Sequence, residues 1–344
     1  MKLYFDSGYV NIPAILDEGL PFNFVVGGRG TGKTYTSLCT CLDQQKPFIL
    51  LRRTQSQIDI IARDEFSPFK RINRDRGIDV VCDTITKYNS GFYLGEPDAD
   101  GIVKPAGKPI GYTAALSTFS NIRGFDASDV RLMIFDEFIP ERHERPIKNE
   151  FDALMNCYET VNRNRELNGE PPLQLLCLAN ANDIGNPIFM GFELIRQAVK
   201  MQSAGTAIYQ DRKRGIGLYF LQESKISELK RDTALYRATA GTAFAGMSIE
   251  NNFTGNEVGR IGSRNLKEYK PVVTVGELTI YKHKSGGDYY ASCHAMGSPP
   301  KFGTGDTERQ RFKRAFGWIW AQYMQDHILF EEYLCEILLN KYYA

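Results

Sequence analysis

Eight residues, GGRGTGKT from Gly27 to Thr34, fit the pattern G-x-x-x-x-G-K-[ST]. That composition suits the cradling of phosphate oxygens. Glycines let successive backbone N–H groups close around an anion, and a helix amino terminus behind them adds a favourable field. Lys33 supplies a point charge for the β and γ phosphates of ATP, and the Thr34 hydroxyl offers a ligand to Mg²⁺. Gly27, Gly28, Gly30, Thr31 and Gly32 complete the loop, while Arg29 either touches phosphate or only covers the loop.

Further along, VRLMIFDEF (Val130 to Phe138) lifts Asp136 to the end of an apolar run, where ligands of open α/β sheets bind. Asp136 can enter the Mg²⁺ shell and Glu137 can position and activate a water. Alone, such a run reads first as an ordinary strand end with a capping carboxylate; the P-loop upstream favours the chemical reading. A glutamate directly after the metal aspartate points to ATP hydrolysis rather than kinase chemistry. In LQLLCLANANDIGNP (Leu173 to Pro187), a buried strand ends on Asn180, whose amide either reads the γ-phosphate or merely satisfies turn backbone.

Two segments could carry chemistry outward. ETVNRNRE (Glu159 to Glu166) sets Arg163 four residues after Glu159 and three before Glu166, with Arg165 two beyond Arg163. On a helix, positions two apart point away from each other. Arg163 is then either part of a solvated ion-pair ladder or a side chain leaving its own subunit to meet a neighbour's substrate. The loop LSTFSNIRGFDASD (Leu116 to Asp129) is polar, with Arg123 its only cation and Asn121 beside it. It is either a loop that a ring ATPase projects toward its polymer or a plain surface connection.

These residues need a scaffold. Short unalternating apolar runs at Phe22 to Val26, Phe48 to Leu51, Leu132 to Phe135 and Leu173 to Ala179 suit strands buried on both faces. Helix-like stretches between them predict an α/β core with right-handed crossovers. Val80 to Thr118 is expected to form a hairpin insertion leading into another core strand. We expect a P-loop domain over 1–222, a helical linker over 223–248 and a small α+β domain over 249–344, closing on helices at Thr307 to Gln325 and Ile328 to Tyr342.

The chain has 344 residues and a formal net charge of +1, so overall charge does not mark a nucleic-acid binder. The basic clusters at Lys70 to Arg76, Arg212 to Arg214 and Arg309 to Arg314 read first as solvated faces. Seven scattered cysteines form no C-x-x-C pair and no cluster at zinc spacing, and Cys293-His294 reads as core rather than ligand. With no apolar leader and no long uncharged run, a cytosolic protein without membrane contact is expected.

FNFVVGGRGTGKT, FILLRRTQ, MIFDEFI, ETVNRNRE and LCLANANDIGNP, in this order, resemble the genome-packaging motor ATPases of small tailed podoviruses with protein-primed genomes. MSIENNF and GELTIYKH extend the resemblance more loosely. It implies an additional-strand (ASCE) P-loop ATPase related to large terminases and translocating helicases. It also implies a homomeric ring, typically a pentamer, on the portal vertex of a prohead in the host cytoplasm. ATP and Mg²⁺ would power entry of double-stranded DNA. Lys33, Thr34, Asp136 and Glu137 fall on the family's nucleotide roles, Asn180 on its sensing role and Arg163 on its trans-acting arginine. Arg52 and Arg53 match an arginine pair that the family can follow, two residues on, with lysine; here Gln55 stands there. The terminase relationship also raises nuclease chemistry, which needs several carboxylates converging on two divalent ions. Glu277, Asp288, Glu250, Asp306 and Glu331 form no such constellation in sequence, so the second domain reads as a non-cleaving docking relic. Another P-loop translocase or helicase, and a non-catalytic assembly protein, are the rival readings; a relic has no reason to keep the full nucleotide set.

Overall fold

Apolar runs without alternation must be covered on both faces, and the chain achieves this with one large sheet. The computed structural model describes residues 1–122, 124, 126–141, 144, 147–222, 224–248, 253 and 260–343. It divides into two units, Met1–Thr254 and Gly255–Ala344.

Among the described residues the first unit holds nine strands: β1 (Phe22–Val26), β2 (Phe48–Arg52), β3 (Val80–Thr86), β4 (Asn89–Pro97), β5 (Val103–Ala115), β6 (Leu132–Asp136), β7 (Gln174–Ala179), β8 (Ile208–Asp211) and β9 (Ile216–Phe220). Their order is β3-β4-β5-β2-β6-β7-β1-β9-β8. The block from β5 to β9 is parallel, and antiparallel strands close both edges. β7 lies between the P-loop strand β1 and the carboxylate strand β6, the additional-strand arrangement of an α/β P-loop domain.

Register decides what meets at the strand ends. Val26 pairs with Ala179 and Asp136 with Leu178. Leu51 pairs with Phe135, which leaves Arg52 and Asp136 side by side. The carboxyl ends of β1, β7, β6 and β2 therefore form one ledge. All five residues of β6 are buried. Burying an aliphatic or aromatic side chain stabilises by about 1.5–3 kcal/mol, so Leu132, Met133, Ile134 and Phe135 together offset the burial of Asp136. Phe138, just beyond, packs edge-on against Phe24 and tilted against Phe189.

Residues 225–231, 234–238 and 243–248, within the span expected as a linker, are three short helices counted with the first unit. The basic clusters behave as solvated faces: Arg76 pairs with Asp43, Arg212 with Glu18 and Arg311 with Glu308. Among the described residues no helix is long and apolar enough to cross a membrane.

The second unit is a five-stranded sheet of β10 (Tyr269–Val275), β11 (Leu278–His283), β12 (Tyr289–Ser292), β13 (Lys301–Phe302) and β14 (Ile328–Phe330), in the order β13-β10-β11-β12-β14. Helices Asp306–Met324 and Tyr333–Tyr343 pack on it through Phe312, Ile319 and Leu339. The last helix thus starts five residues later than the expected Ile328. Ile328 and Phe330 are buried while Leu329 between them is not, a two-residue period that a strand beside β12 satisfies and a helix does not.

Candidate nucleotide-binding site

β1 runs through the glycine loop into the helix Lys33–Asp43. Gly30 and Gly32 adopt φ +73° and +81°, a region that disfavours any side chain. At Gly32 a Cβ would also stand 2.5 Å from the Tyr9 ring, so the loop is closed from behind. Lys33 lies folded into the loop with 8% exposure. Its ammonium donates to the carbonyls of Gly27 (3.0 Å) and Gly28 (2.8 Å) and to Asn180 Oδ1 (3.3 Å). Burial pushes the Lys33 amine down to about 8, against the opposing pull of Asp136; the like charges of Lys230 and Arg29 lower it further. Asn180 directly follows β7, which ends one residue earlier than expected, at Ala179, and its side chain touches the P-loop lysine.

Thr34 Oγ1 donates to Asp136 Oδ2 at 2.7 Å. A hydroxyl and a buried carboxylate converging on one point are hard oxygen donors of the type Mg²⁺ takes, so these residues fit that ion. Arg52 bridges both acids: Nη2 lies 2.9 Å from Asp136 Oδ2 and Nη1 lies 2.5 Å from Glu137 Oε2. Glu137 has φ +58°, a left-handed conformation that costs about 1–3 kcal/mol for a non-glycine residue. Two contacts hold it there: Phe138 N donates to the Leu178 carbonyl (3.2 Å), and Glu137 N donates to Asp136 Oδ1 (3.1 Å). The outcome is a carboxylate that is 55% exposed directly beside one that is 5% exposed. The cleft between them and the loop has a volume of about 300 Å³ and is lined by Arg29, Gly30, Gly32, Lys33, Thr34, Tyr35, Asp136, Glu137, Ala179 and Asn180. Thr31, Gly27 and Gly28 support the loop from beneath; the Thr31 hydroxyl donates to the Gly28 carbonyl (3.2 Å).

Arg29 pairs with Glu141, which favours a loop-covering role for it in this conformation. Lys230, from the helix Lys225–Arg231, donates to the Arg29 carbonyl. Burial and then Arg29 depress its amine below the ordinary lysine value. Nothing in the sequence marks Lys230, because some two hundred residues separate it from the loop. The arginine pair after β2 serves its own chain. Arg53 is 1% exposed and grips Glu150 through Nε (2.7 Å) and Nη2 (3.1 Å), with Glu144 at 3.2 Å. That pair anchors the first turn of the helix Glu150–Asn162.

At the other end of that helix stand the two arginines of ETVNRNRE, and the helical picture of them fails. The helix ends at Asn162 and Arg163 turns away with φ +50° and ψ −134°, so helical spacing from Arg163 to Glu166 does not exist. The Arg163 side chain is half exposed, with Asp126 at 3.8 Å. Arg165 is 5% exposed and donates to the carbonyls of Ala127 (3.2 Å) and Ser128 (3.1 Å). Burial, then repulsion from Arg131, lowers its pKa. Asn121 is exposed in the 3₁₀ segment Leu116–Ile122, while Arg123 lies outside the described residues. Arg163 and Asn121 do not line the cleft.

The family model described as podovirus DNA encapsidation protein (Gp16) matches residues 5–284. The DNA packaging protein of Bacillus phage phi29 is 27% identical over 261 residues, covering 73% of this chain and 67% of that protein. Two solved structures share the fold along nearly all of the chain. The Phi-28 gp11 DNA packaging motor has a TM-score of 0.63 and 22% identity, covering 97% of this chain and 96% of its own. The bacteriophage Phi-29 viral genome packaging motor assembly has a TM-score of 0.63 and 20% identity, covering 97% and 99%.

Proposed function

Since the chain belongs to the podovirus DNA encapsidation protein family, a family of DNA packaging motor ATPases, we propose that it drives double-stranded DNA into a preformed prohead as a ring of five identical subunits at the portal vertex. One observation carries the catalytic part: Lys33, Thr34, Asp136, Glu137 and Asn180 converge on one cleft at the ends of adjacent parallel strands.

ATP enters with its phosphates against the glycine loop and the amino terminus of the helix Lys33–Asp43. Lys33 exchanges the Gly27 and Gly28 carbonyls for phosphate oxygens while keeping Asn180 in reach. Thr34 and Asp136 would hold Mg²⁺, which would supply charge neutralisation on the transferred phosphoryl group. Arg52 pairs with both acids, so freeing either Asp136 or Glu137 for chemistry requires this guanidinium to shift. Glu137, the exposed acid, takes a proton from the attacking water. Asn180 links the γ-phosphate position to β7.

Arg163 completes the site of a neighbouring subunit, stabilising charge in the transition state. Three features support it over Arg165: its half-exposed side chain, its position just past an anchored helix, and the commitment of Arg165 to Ala127 and Ser128. Asn121 and Arg123 contact DNA, and residues 249–344 dock the motor on the prohead without cutting DNA.

The test mixes Glu137→Gln subunits with Arg163→Ala subunits. Arg163→Ala alone loses ATPase by at least about 10³-fold, the usual worth of such a finger, and Glu137→Gln by about 10²–10⁴-fold, that of a general base. Mixed rings regain turnover, because some interfaces pair an intact Glu137 with an intact Arg163. Failure to recover in rings shown to be mixed refutes the trans assignment. A helicase would unwind forked duplex without proheads, whereas this chain moves intact duplex only with them.

A further inference from the structure

Cys293 and Cys335 are 42 positions apart in sequence, yet their sulfurs lie 3.5 Å apart in the second unit. Glu332 brings a carboxylate oxygen within 4.8 Å of both. Two sulfurs on one tetrahedral ion, with bonds of about 2.3 Å, stand about 3.8 Å apart, close to the separation here.

The fold builds this cluster rather than leaving it to loose side chains. β12 and β14 run parallel with Tyr289 beside Ile328 and Ala291 beside Phe330. Continued two residues, that register sets Cys293 beside Glu332. Glu332 and Cys335 are one helical turn apart where the helix Tyr333–Tyr343 begins, and Cys335 N donates to the Glu332 carbonyl at 3.0 Å. Cys335 is wholly buried in the core with Ile280 and Leu339. The neighbouring acid has other work: Glu331 accepts from Ser292 Oγ at 2.6 Å and sits 2.9 Å from His294 Nδ1. Those bonds tie the ends of β12 and β14 together beside the cluster.

We propose that Cys293, Glu332 and Cys335 form a three-ligand Zn²⁺ site that links the end of β12 to the carboxyl-terminal helix. Two sulfurs select a borderline-soft divalent ion over Mg²⁺ or Ca²⁺, and a single carboxylate completes a three-ligand set with water in the fourth position. Each thiol releases its proton to solvent as its sulfur takes the ion, so no oxidant or reductant is involved. Binding of the ion then adds directly to the folding stability of this unit.

The test uses the full-length chain, stripped with chelator and titrated with Co²⁺ in the absence of nucleotide. One equivalent should produce a thiolate-to-metal charge-transfer band and strong tetrahedral d–d absorption, both erased by one equivalent of Zn²⁺. Cys293→Ser and Cys335→Ser should abolish the band, and Cys82→Ser should keep it. Glu332→Gln leaves both thiols and the core intact, and should weaken binding at least tenfold; it decides the matter if Cys335→Ser fails to fold. Zn²⁺ should raise the melting temperature of the wild type and not of Cys293→Ser. Absence of the band, a band surviving Cys293→Ser, or a Cys293–Cys335 disulfide in protein isolated without oxidant would each overturn the site.

Discussion

Nucleotide affinity should depend on pH through one lysine. Lys33 is nearly enclosed, and burial, partly offset by Asp136, holds its amine down at about 8. Phosphates select the charged ammonium, so a bound nucleotide raises this pKa and binding takes up a proton wherever the free protein has lost one. Below about pH 7 the amine is already charged and adds no further pH dependence. Above 8 each further pH unit weakens binding about tenfold, about 1.4 kcal/mol. Phosphate groups are half ionised at about pH 6, so their titration is nearly complete where this window opens. The measurement is titration calorimetry with a non-hydrolysable ATP analogue, in buffers of different ionisation enthalpy. Proton uptake should be near half at pH 8 and approach one at about pH 9. Lys33→Arg, which stays charged, should bind more weakly with a flat profile. Lys230→Met removes a nearby like charge, so the inflection should move up and persist. An affinity flat from about pH 7 to about pH 9.5, or an unchanged slope in Lys33→Arg, would refute the reasoning.

Two substitutions test the scaffold. Glu150→Gln removes the bidentate partner of a guanidinium that is 1% exposed, and should destabilise the first unit by about 3–5 kcal/mol, read as a lower urea midpoint. A midpoint within error of wild type would show that Glu144 alone satisfies Arg53. Gly32→Ala places a Cβ both in a left-handed backbone and 2.5 Å from the Tyr9 ring, so nucleotide binding should fall at least tenfold. Adding Tyr9→Ala should recover only the steric part of that loss; full recovery would mean that the backbone conformation is immaterial.

The residues that line the cleft were legible because their pattern is local. GGRGTGKT writes a turn, a phosphate cradle and a helix start in eight consecutive residues, and the apolar run before Asp136 and Glu137 marks a buried strand end. Composition and periodicity also announced a parallel-rich α/β sheet, since a strand covered on both faces cannot alternate. What sequence could not supply was register and long-range closure. That Arg52 spans Asp136 and Glu137 follows from β2 lying beside β6. Lys230 reaches the loop from a helix some two hundred residues away. The spacing in ETVNRNRE suggested a helix face, but the helix ends before Arg163, and burial instead of spacing separates the two arginines. Cys293 read as isolated because its partners, Glu332 and Cys335, lie about forty residues later and arrive only when β14 docks on β12. Local sequence states which groups are present and what backbone they favour; which of them meet is fixed by strand pairing, which depends on the whole chain.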